Sequence, residues 1–441
     1  MTTQGLVLLA VASVALGLAG PAGAGLTQDE QRMLEWIDAH AGDAVALLEE
    51  TVNIGSGTMN HAGIREVGRV MRRELDAVGL ETRWIDMPAE MQRAGHLFGR
   101  KDGDGPKFLL IGHLDTVFEA DDAFDAFRRE GNIGHGPGVD DMKSGNVIIV
   151  FALKALASIG ALDAIPVVVA YTGDEENVGD PIEIARRDQI EAGRWADIAL
   201  GFEGAVTRDG ADWATISRRS SSEWLLETTG RQAHSSGVFN DRVGAGAIYE
   251  AARILAAFYG ELRGESYLTF NAGNIQGGTM VTYDEELRRG TSFGKTNVVA
   301  QKAIVHGDLR TISAEQLASV QERMRAIVAI NLPQTTATIR FRDKYPPMAP
   351  TDGNRRLADR LSAINVDLGR GPMEILDPMQ RGAADISFVA PYADALAGLG
   401  ALGSGAHSPD ETVELDSLPL AIKRAALLIY RSSRGAGGPA D

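Results

Sequence analysis

Ile111-Gly112-His113-Leu114-Asp115-Thr116-Val117 continues an apolar run at residues 109–111, and the turn Asp102-Gly103-Asp104-Gly105-Pro106 precedes it. An apolar run after such a turn predicts a buried strand. If the strand continues, His113 and Asp115, two apart, point to the same side. A neutral imidazole can ligate a metal, and a nearby carboxylate fixes its tautomer and raises its basicity. By itself, a His-x-Asp at a strand end reads first as an ordinary hydrogen-bonded pair. The stretches that follow change that reading.

Residues 166–171 are rich in β-branched side chains and predict a buried parallel strand. This run ends in Thr172-Gly173-Asp174-Glu175-Glu176. Like charges so placed raise one another's energy, and a cation is the usual remedy. Residues 196–202 predict another strand, ending at Glu203. Three strands therefore end in His113/Asp115, Glu175/Glu176 and Glu203. Open α/β sheets bind ligands at the carboxyl ends of their strands, so the convergence points to a metal site. Asn132-Ile133-Gly134-His135-Gly136-Pro137-Gly138-Val139-Asp140-Asp141-Met142-Lys143-Ser144-Gly145 adds two aspartates after alternating glycines. The glycines allow close backbone approach. Alone, Asp140-Asp141 reads as a cap for the helix expected at 147–156. His407, within Gly403-Ser404-Gly405-Ala406-His407-Ser408-Pro409-Asp410-Glu411, is one more candidate ligand.

The chain has 441 residues, which predicts two domains rather than one core. Hydrophobic content of 44% and charged content of 23% are ordinary for a globular protein. The net charge of -17 argues against non-specific binding to nucleic acid or to an anionic membrane. No cysteine is present, which removes disulfides, thiolate catalysis and cysteine-held zinc. Any metal must be held by His, Asp and Glu. Residues 6–19 are almost wholly apolar, and Ala22 and Ala24 form an A-x-A pattern. Residues 1–24 thus read as a secretory signal peptide cut after Ala24, although residues 1–5 carry no Lys or Arg. The run is short for a membrane span; an uncleaved amino-terminal anchor is the alternative. The expected location is the periplasm or the exterior, with no stable membrane association after cleavage.

Residues 27–50 predict helix, with Thr27 and Glu30 at capping-box spacing. Residues 61–78 predict an amphipathic helix closed by Gly79. From about residue 215 the order changes to strand 224–228, helix 243–262, strands 268–275 and 297–309, helix 314–330 and strand 336–342. This β-α-β-β-α-β order predicts a ferredoxin-like insert, with Gly277-Gly278 at an edge. Pro346-Pro347 marks the return to the first domain, a helix is expected at 418–430, and the glycine-rich tail predicts disorder. The expected division is a catalytic domain at 25–215 and 346–432, an insert at 216–345, and a tail at 433–441.

Together, Gly112-His113-Leu114-Asp115-Thr116-Val117, Gly138-Val139-Asp140-Asp141-Met142-Lys143, Gly173-Asp174-Glu175-Glu176, Phe202-Glu203-Gly204 and Ala406-His407-Ser408 resemble the M20 family of zinc metallopeptidases. That group includes glutamate carboxypeptidases, succinyl-diaminopimelate desuccinylases, acetylornithine deacetylases and aminoacylases. The resemblance implies an α/β zinc-exopeptidase-like catalytic domain with a mixed, mostly parallel sheet, plus a ferredoxin-like dimerisation or lid domain. It implies two Zn2+ per chain, with Co2+ or Mn2+ as substitutes. His113, Asp141 and Glu203 would hold one metal and Asp141, Glu176 and His407 the other, with Asp141 bridging and a cis peptide following it. Glu175 would be the general base acting on metal-bridged water, and Asp115 would orient His113. His234 matches a histidine that reaches a neighbouring subunit's site and stabilises the oxyanion. Asn297 and Arg310 match substrate-contacting residues. As bare sequence, His234 reads as a surface histidine and Arg310 as a surface ion pair. Two segments depart from the family pattern: Ser144 stands where many members have glycine, and Arg381-Gly382-Ala383-Ala384-Asp385 replaces a glycine-rich segment. Both leave the substrate class open.

The expected activity is hydrolysis of a peptide or amide bond next to a free carboxylate, as in a glutamate carboxypeptidase. The signal peptide favours this over the biosynthetic deacylases. An aminoacylase-type hydrolase of N-acyl amino acids is the alternative within the enzyme class, and a catalytically silent binding member is the alternative outside it. The expected partners are a small peptide or N-acyl amino acid and a second copy of the chain through residues 216–345, with no nucleic acid.

Overall fold

The computed structural model describes residues 25–124, 126–285 and 287–434. The candidate signal peptide and the last seven residues lie outside them.

Six strands form the central sheet, in the order Glu81–Ile85, His96–Lys101, Val167–Thr172, Phe108–His113, Ile198–Gly201, Asp394–Leu396. His96–Lys101 runs against both its neighbours, and the other pairings from Val167–Thr172 to Asp394–Leu396 are parallel. The sheet is therefore mixed and mostly parallel. His96–Lys101 and Asp394–Leu396 escaped the sequence reading. The first carries polar and charged residues among its apolar ones, and the second is only three residues long.

The strand Phe108–His113 is buried throughout. Phe108 and Leu110 pack into one core with the helices Ser144–Ser158 and Ser417–Ser433, while Leu109 and Ile111 pack into a second with Ile386 and Val389. A strand buried on both faces loses the polar alternation of a half-exposed one, hence its continuous apolar run. The Thr27 and Glu30 capping box forms at the start of Gln28–Ala39. Gly79 follows the helix His61–Ala77 at φ 82°, a left-handed conformation suited to ending it. The terminal helix reaches Ser433, so the expected tail boundary at 433 falls one residue inside it.

The insert is a four-stranded antiparallel sheet in the order Thr269–Gly278, Lys302–Arg310, Ser221–Gly230, Thr335–Tyr345. The helices Ala247–Leu262 and Ala314–Ala329 pack on it through Ile254, Phe258, Val320 and Met324 against Trp224, Leu226 and Val305. This is the ferredoxin-like arrangement. Residues 297–301, expected as strand, precede the strand proper. A hairpin, Met280–Asp284 with Arg289–Phe293, extends the edge beyond the expected turn.

Candidate metal centre and active site

Strand ends bring the candidate ligands together. His113 is the last residue of Phe108–His113 and is held from below: the Asn146 side chain donates to its carbonyl at 2.6 Å. Gly112 permits that approach, since a Cβ there would lie 2.2 Å from Asn146 Oδ1. Gly145 plays the same part for Glu203. A Cβ on it would lie 2.0 Å from the Phe202 carbonyl oxygen, so the displaced glycine of the Lys143-Ser144-Gly145 stretch is where the helix crosses the strand end.

His407 comes from far along the chain. It sits at the tip between the short strands Gly403–Ser404 and Thr412–Glu414, with left-handed backbone at φ 63°. Thr412–Glu414 pairs with Ile133–His135, the strand that leads into the Asp140-Asp141 loop. The Glu411 carboxylate then accepts the backbone N–H groups of Gly138, Asp140 and Asp141 at 3.1, 2.9 and 2.9 Å. Asp140-Asp141 is thus not a simple cap: its own amides are capped by Glu411. The Asp141-Met142 peptide bond is cis, as expected.

The Asp141 carboxylate lies between two imidazoles. Its Oδ1 is 3.1 Å from His113 Nε2 and its Oδ2 is 3.1 Å from His407 Nε2. His407 Nε2 is also 3.1 Å from Glu176 Oε2. Among the described residues, ligand atoms of His113, Asp141 and Glu176 lie within 4.8 Å of one another. Glu203 stands slightly apart. It lines a small cavity with His113, but its Oε2 is engaged by the buried Arg218. The structure thus gathers four of the five expected ligands into direct contact and places the fifth beside them, tied to an arginine.

Asp115 touches His113, as expected, and does more. His113 Nδ1 meets the Asp115 backbone carbonyl at 3.0 Å, closer than the carboxylate at 3.5 Å. That carboxylate is buried and accepts the backbone N–H of Glu175 at 3.0 Å and of Glu176 at 3.1 Å, and the Thr58 hydroxyl at 2.6 Å. Asp115 therefore ties the two strand ends together.

A buried arginine that sequence reasoning missed supports the same loop. Arg186 pairs with Asp174 at 2.5 Å and Asp385 at 2.7 Å. Neither Arg186 nor Asp385 stands near Glu175 in sequence, and no spacing signal announces them. Arg381 donates to the Gly204 carbonyl, and burial with the neighbouring Arg218 pushes its pKa down to about 10.

The electrostatics are those of a site short of positive charge. Burial, together with the charges of Asp385, Glu203 and Glu176, holds the Glu175 carboxyl well above its usual range, against the pull of His113. Burial also raises Glu176. Burial opposes a proton on His113, but contacts with Asp115 and Asp141 win and raise it. Hydrogen bonds to Asp141 and Glu176 push His407 up to about 10. Both shifts have one cause, buried carboxylates whose charge a cation would neutralise. Among the described residues, the buried Glu176 Oε1 has no hydrogen-bond partner. Imidazole nitrogen and carboxylate oxygen, with no thiolate available, suit zinc and other divalent ions. The residues fit a two-metal centre.

The insert residues lie further out. His234 is exposed, its Nδ1 accepting from the Ser236 amide at 3.2 Å. Asn297 is exposed, and its carbonyl accepts the Ser235 amide. Arg310 pairs with Asp308 at 3.1 Å and faces the catalytic domain at Gly382, where a Cβ would lie 3.8 Å from its guanidinium.

This fold and donor set define a metal-dependent hydrolase. The chain belongs to the peptidase family M20/M25/M40, whose pattern matches residues 109–431. It is 26% identical to carboxypeptidase G2 of Pseudomonas sp. strain RS-16 over 441 residues, covering 97% of this chain and 98% of that one. It is 27% identical to a succinyl-diaminopimelate desuccinylase of Paracoccus denitrificans over 81% of this chain and 89% of the relative. Among solved structures, a Bacillus cereus aminopeptidase superposes with a TM-score of 0.66 at 18% identity, covering 91% of this chain and 98% of that chain. A dinuclear metal-binding peptidase of Bacillus subtilis superposes at 0.61 and 16%, covering 90% and 99%.

Proposed function

We propose that the protein is a di-zinc amidohydrolase that cleaves a peptide or amide bond next to a free carboxylate, in the manner of a glutamate carboxypeptidase. The observation that carries this reading is the Asp141 carboxylate, one oxygen on His113 and the other on His407, beside the strand end that bears Glu175. His113, Asp141 and Glu203 would hold one cation and Asp141, Glu176 and His407 the other. Bound there, two divalent ions supply Lewis acidity and lower the pKa of water toward neutrality.

The chain's own residues do the rest. Glu175 takes a proton from the attacking water and delivers it to the departing nitrogen, so the C–N bond breaks with a neutral amine leaving. Asp115 holds the Glu175 and Glu176 amides in register with His113. Arg310 offers a planar fork to the substrate carboxylate, with Asn297 assisting. His234, whose Nδ1 accepts, carries its proton on Nε2 and can donate to an oxyanion. Because His234 is exposed on the insert, that oxyanion is proposed to belong to a second copy's site. The exposed apolar Ile248, Tyr249 and Ile275, beside the edge strand Thr269–Gly278, support pairing through this face. Residues 1–24 are proposed to export the chain to the periplasm or beyond; a mature amino terminus at Gly25 is the expected result of sequencing the secreted protein.

The test is metal content after purification without chelator, paired with hydrolysis of peptides ending in glutamate, of folate-like glutamates and of N-acyl amino acids, before and after chelation. About two zinc ions per chain and chelator-sensitive release of glutamate support the proposal. Turnover confined to N-acyl amino acids would replace it with the aminoacylase reading. Two metals without turnover on any of these substrates would replace it with the silent binding one.

A further inference from the structure

The insert joins the catalytic domain through two chain segments that lie side by side. On the outgoing segment Arg218 exchanges backbone hydrogen bonds with Met348, both at 2.9 Å, and Ser221 pairs with Tyr345 on the returning one. Each segment sends a side chain to one of the site's glutamates. Arg218 engages the Glu203 carboxylate. Tyr345, the last residue of Thr335–Tyr345 and 9% exposed, donates its hydroxyl to the Glu175 backbone carbonyl at 2.8 Å.

The Tyr345 hydroxyl is itself held. It accepts from Arg186 Nη2 at 3.3 Å, and the same nitrogen donates to the Asp174 carbonyl at 3.2 Å. Its ring lies against Phe388, centroids 5.0 Å apart, in the segment that carries Asp385. Around this link the insert's root is not packed solid. A cavity of about 520 Å³ is lined by Glu176, Gly179 and Lys344 and by Arg342 and Asp180, which pair at 3.1 Å. Among the described residues, the insert's hydrogen bond to Glu175 is the one made by this phenolic oxygen.

We propose that Tyr345 is a positioning residue that sets the backbone of Glu175 according to the orientation of the insert. This rests on Glu175 acting as the base. The Glu175 carbonyl, tethered at 2.8 Å by Tyr345, and the Glu176 amide, held by Asp115 at 3.1 Å, pin one peptide plane from its two sides, and Asp115 also holds the Glu175 amide in the plane before it. With both planes held, the carboxylate's reach is set by its rotamers alone, which is the preorganisation a base needs. The substrate-facing Arg310 lies on the same insert, so substrate capture and base alignment would share one lever.

The test uses the full-length protein as purified and the variant Tyr345→Phe, which keeps the ring contact with Phe388 and removes the hydroxyl. Hydrogen exchange of the segment 173–179 reports the tether without reference to activity. Loss of one such bond should speed its exchange about five- to tenfold and lower kcat by a similar factor. KM and bound metal should stay as in the parent. Unchanged exchange overturns the proposal, whatever happens to turnover. So does faster exchange with unchanged kcat while Glu175→Gln is inactive, because the tether would then hold the loop without positioning the base. If Glu175→Gln itself turns over normally, the base assignment fails instead.

Discussion

Glu175 and Glu176 are adjacent, yet their carboxylates face different neighbours. Glu176 reaches His407, whereas Glu175 lies within the field of His113, Asp385 and Glu203. The pair can therefore divide the work, one as ligand and one as base. Glu175→Gln keeps the shape and removes the proton acceptor. Its kcat should fall about 10²- to 10⁴-fold with metal content unchanged; unchanged turnover would dismiss Glu175 as base. His234→Ala tests a residue that makes no contact with the metal cluster among the described residues. Turnover should drop about a hundredfold, the scale of one oxyanion donor, while metal analysis stays the same; full activity would leave His234 an ordinary surface side chain.

At the scale of elements, the site depends on a loop a third of the way along the chain being held by a loop near its carboxyl end. Glu411 collects three amides of the segment 138–141 and so sets where Asp141 points. Glu411→Ala leaves those amides without their acceptor. Metal affinity, measured by competition with a chromophoric chelator, should weaken about 10- to 100-fold, the usual effect of removing a group that orients a ligand. Parent-like affinity would show that the glycines alone hold the loop.

Across the whole molecule, the middle and last thirds of the chain are joined by buried charge. Asp212 lies 2.5 Å from Arg424 of the terminal helix and 2.8 Å from Arg370, and it accepts from Asn365. Burial would raise its pKa, but these partners win and lower it to about 2 from 3.8. The sign follows: a carboxylate depressed in the fold stabilises above its unfolded pKa, and that stability fades as pH falls from about 4 to about 2. The difference is worth about 2 kcal/mol. Denaturant melts should therefore show a pH dependence across that window that Asp212→Asn loses, along with a loss of stability at neutral pH from the uncompensated Arg424, about 3 kcal/mol or more. A parent-like pH profile in the variant would deny Asp212 this role. At the same scale, sedimentation should give a dimer, and Tyr249→Glu on the exposed helix face should shift it toward monomer; an unchanged dimer would place the contact elsewhere.

Much of the fold could be read along the chain because local chemistry and tertiary placement agree there. Doubly buried strands leave unbroken apolar runs at 108–111 and 167–171, and the acidic or imidazole side chains at their ends mark the ligand-binding edge of the sheet. The β-α-β-β-α-β order was equally legible from 216 to 345. The strands His96–Lys101 and Asp394–Leu396 were not, because pairing partners rather than composition make them strands. The sequence by itself determined which residue types could bind metal, since five motifs and the lack of cysteine leave only His, Asp and Glu. Only the tertiary structure decided who orients them: Asp115 on the Glu175 and Glu176 amides, Glu411 on the Asp141 loop, Arg218 on Glu203 and Tyr345 on Glu175. Those partners lie up to 273 residues apart, and a hydrogen bond obeys distance in space, which no local spacing encodes.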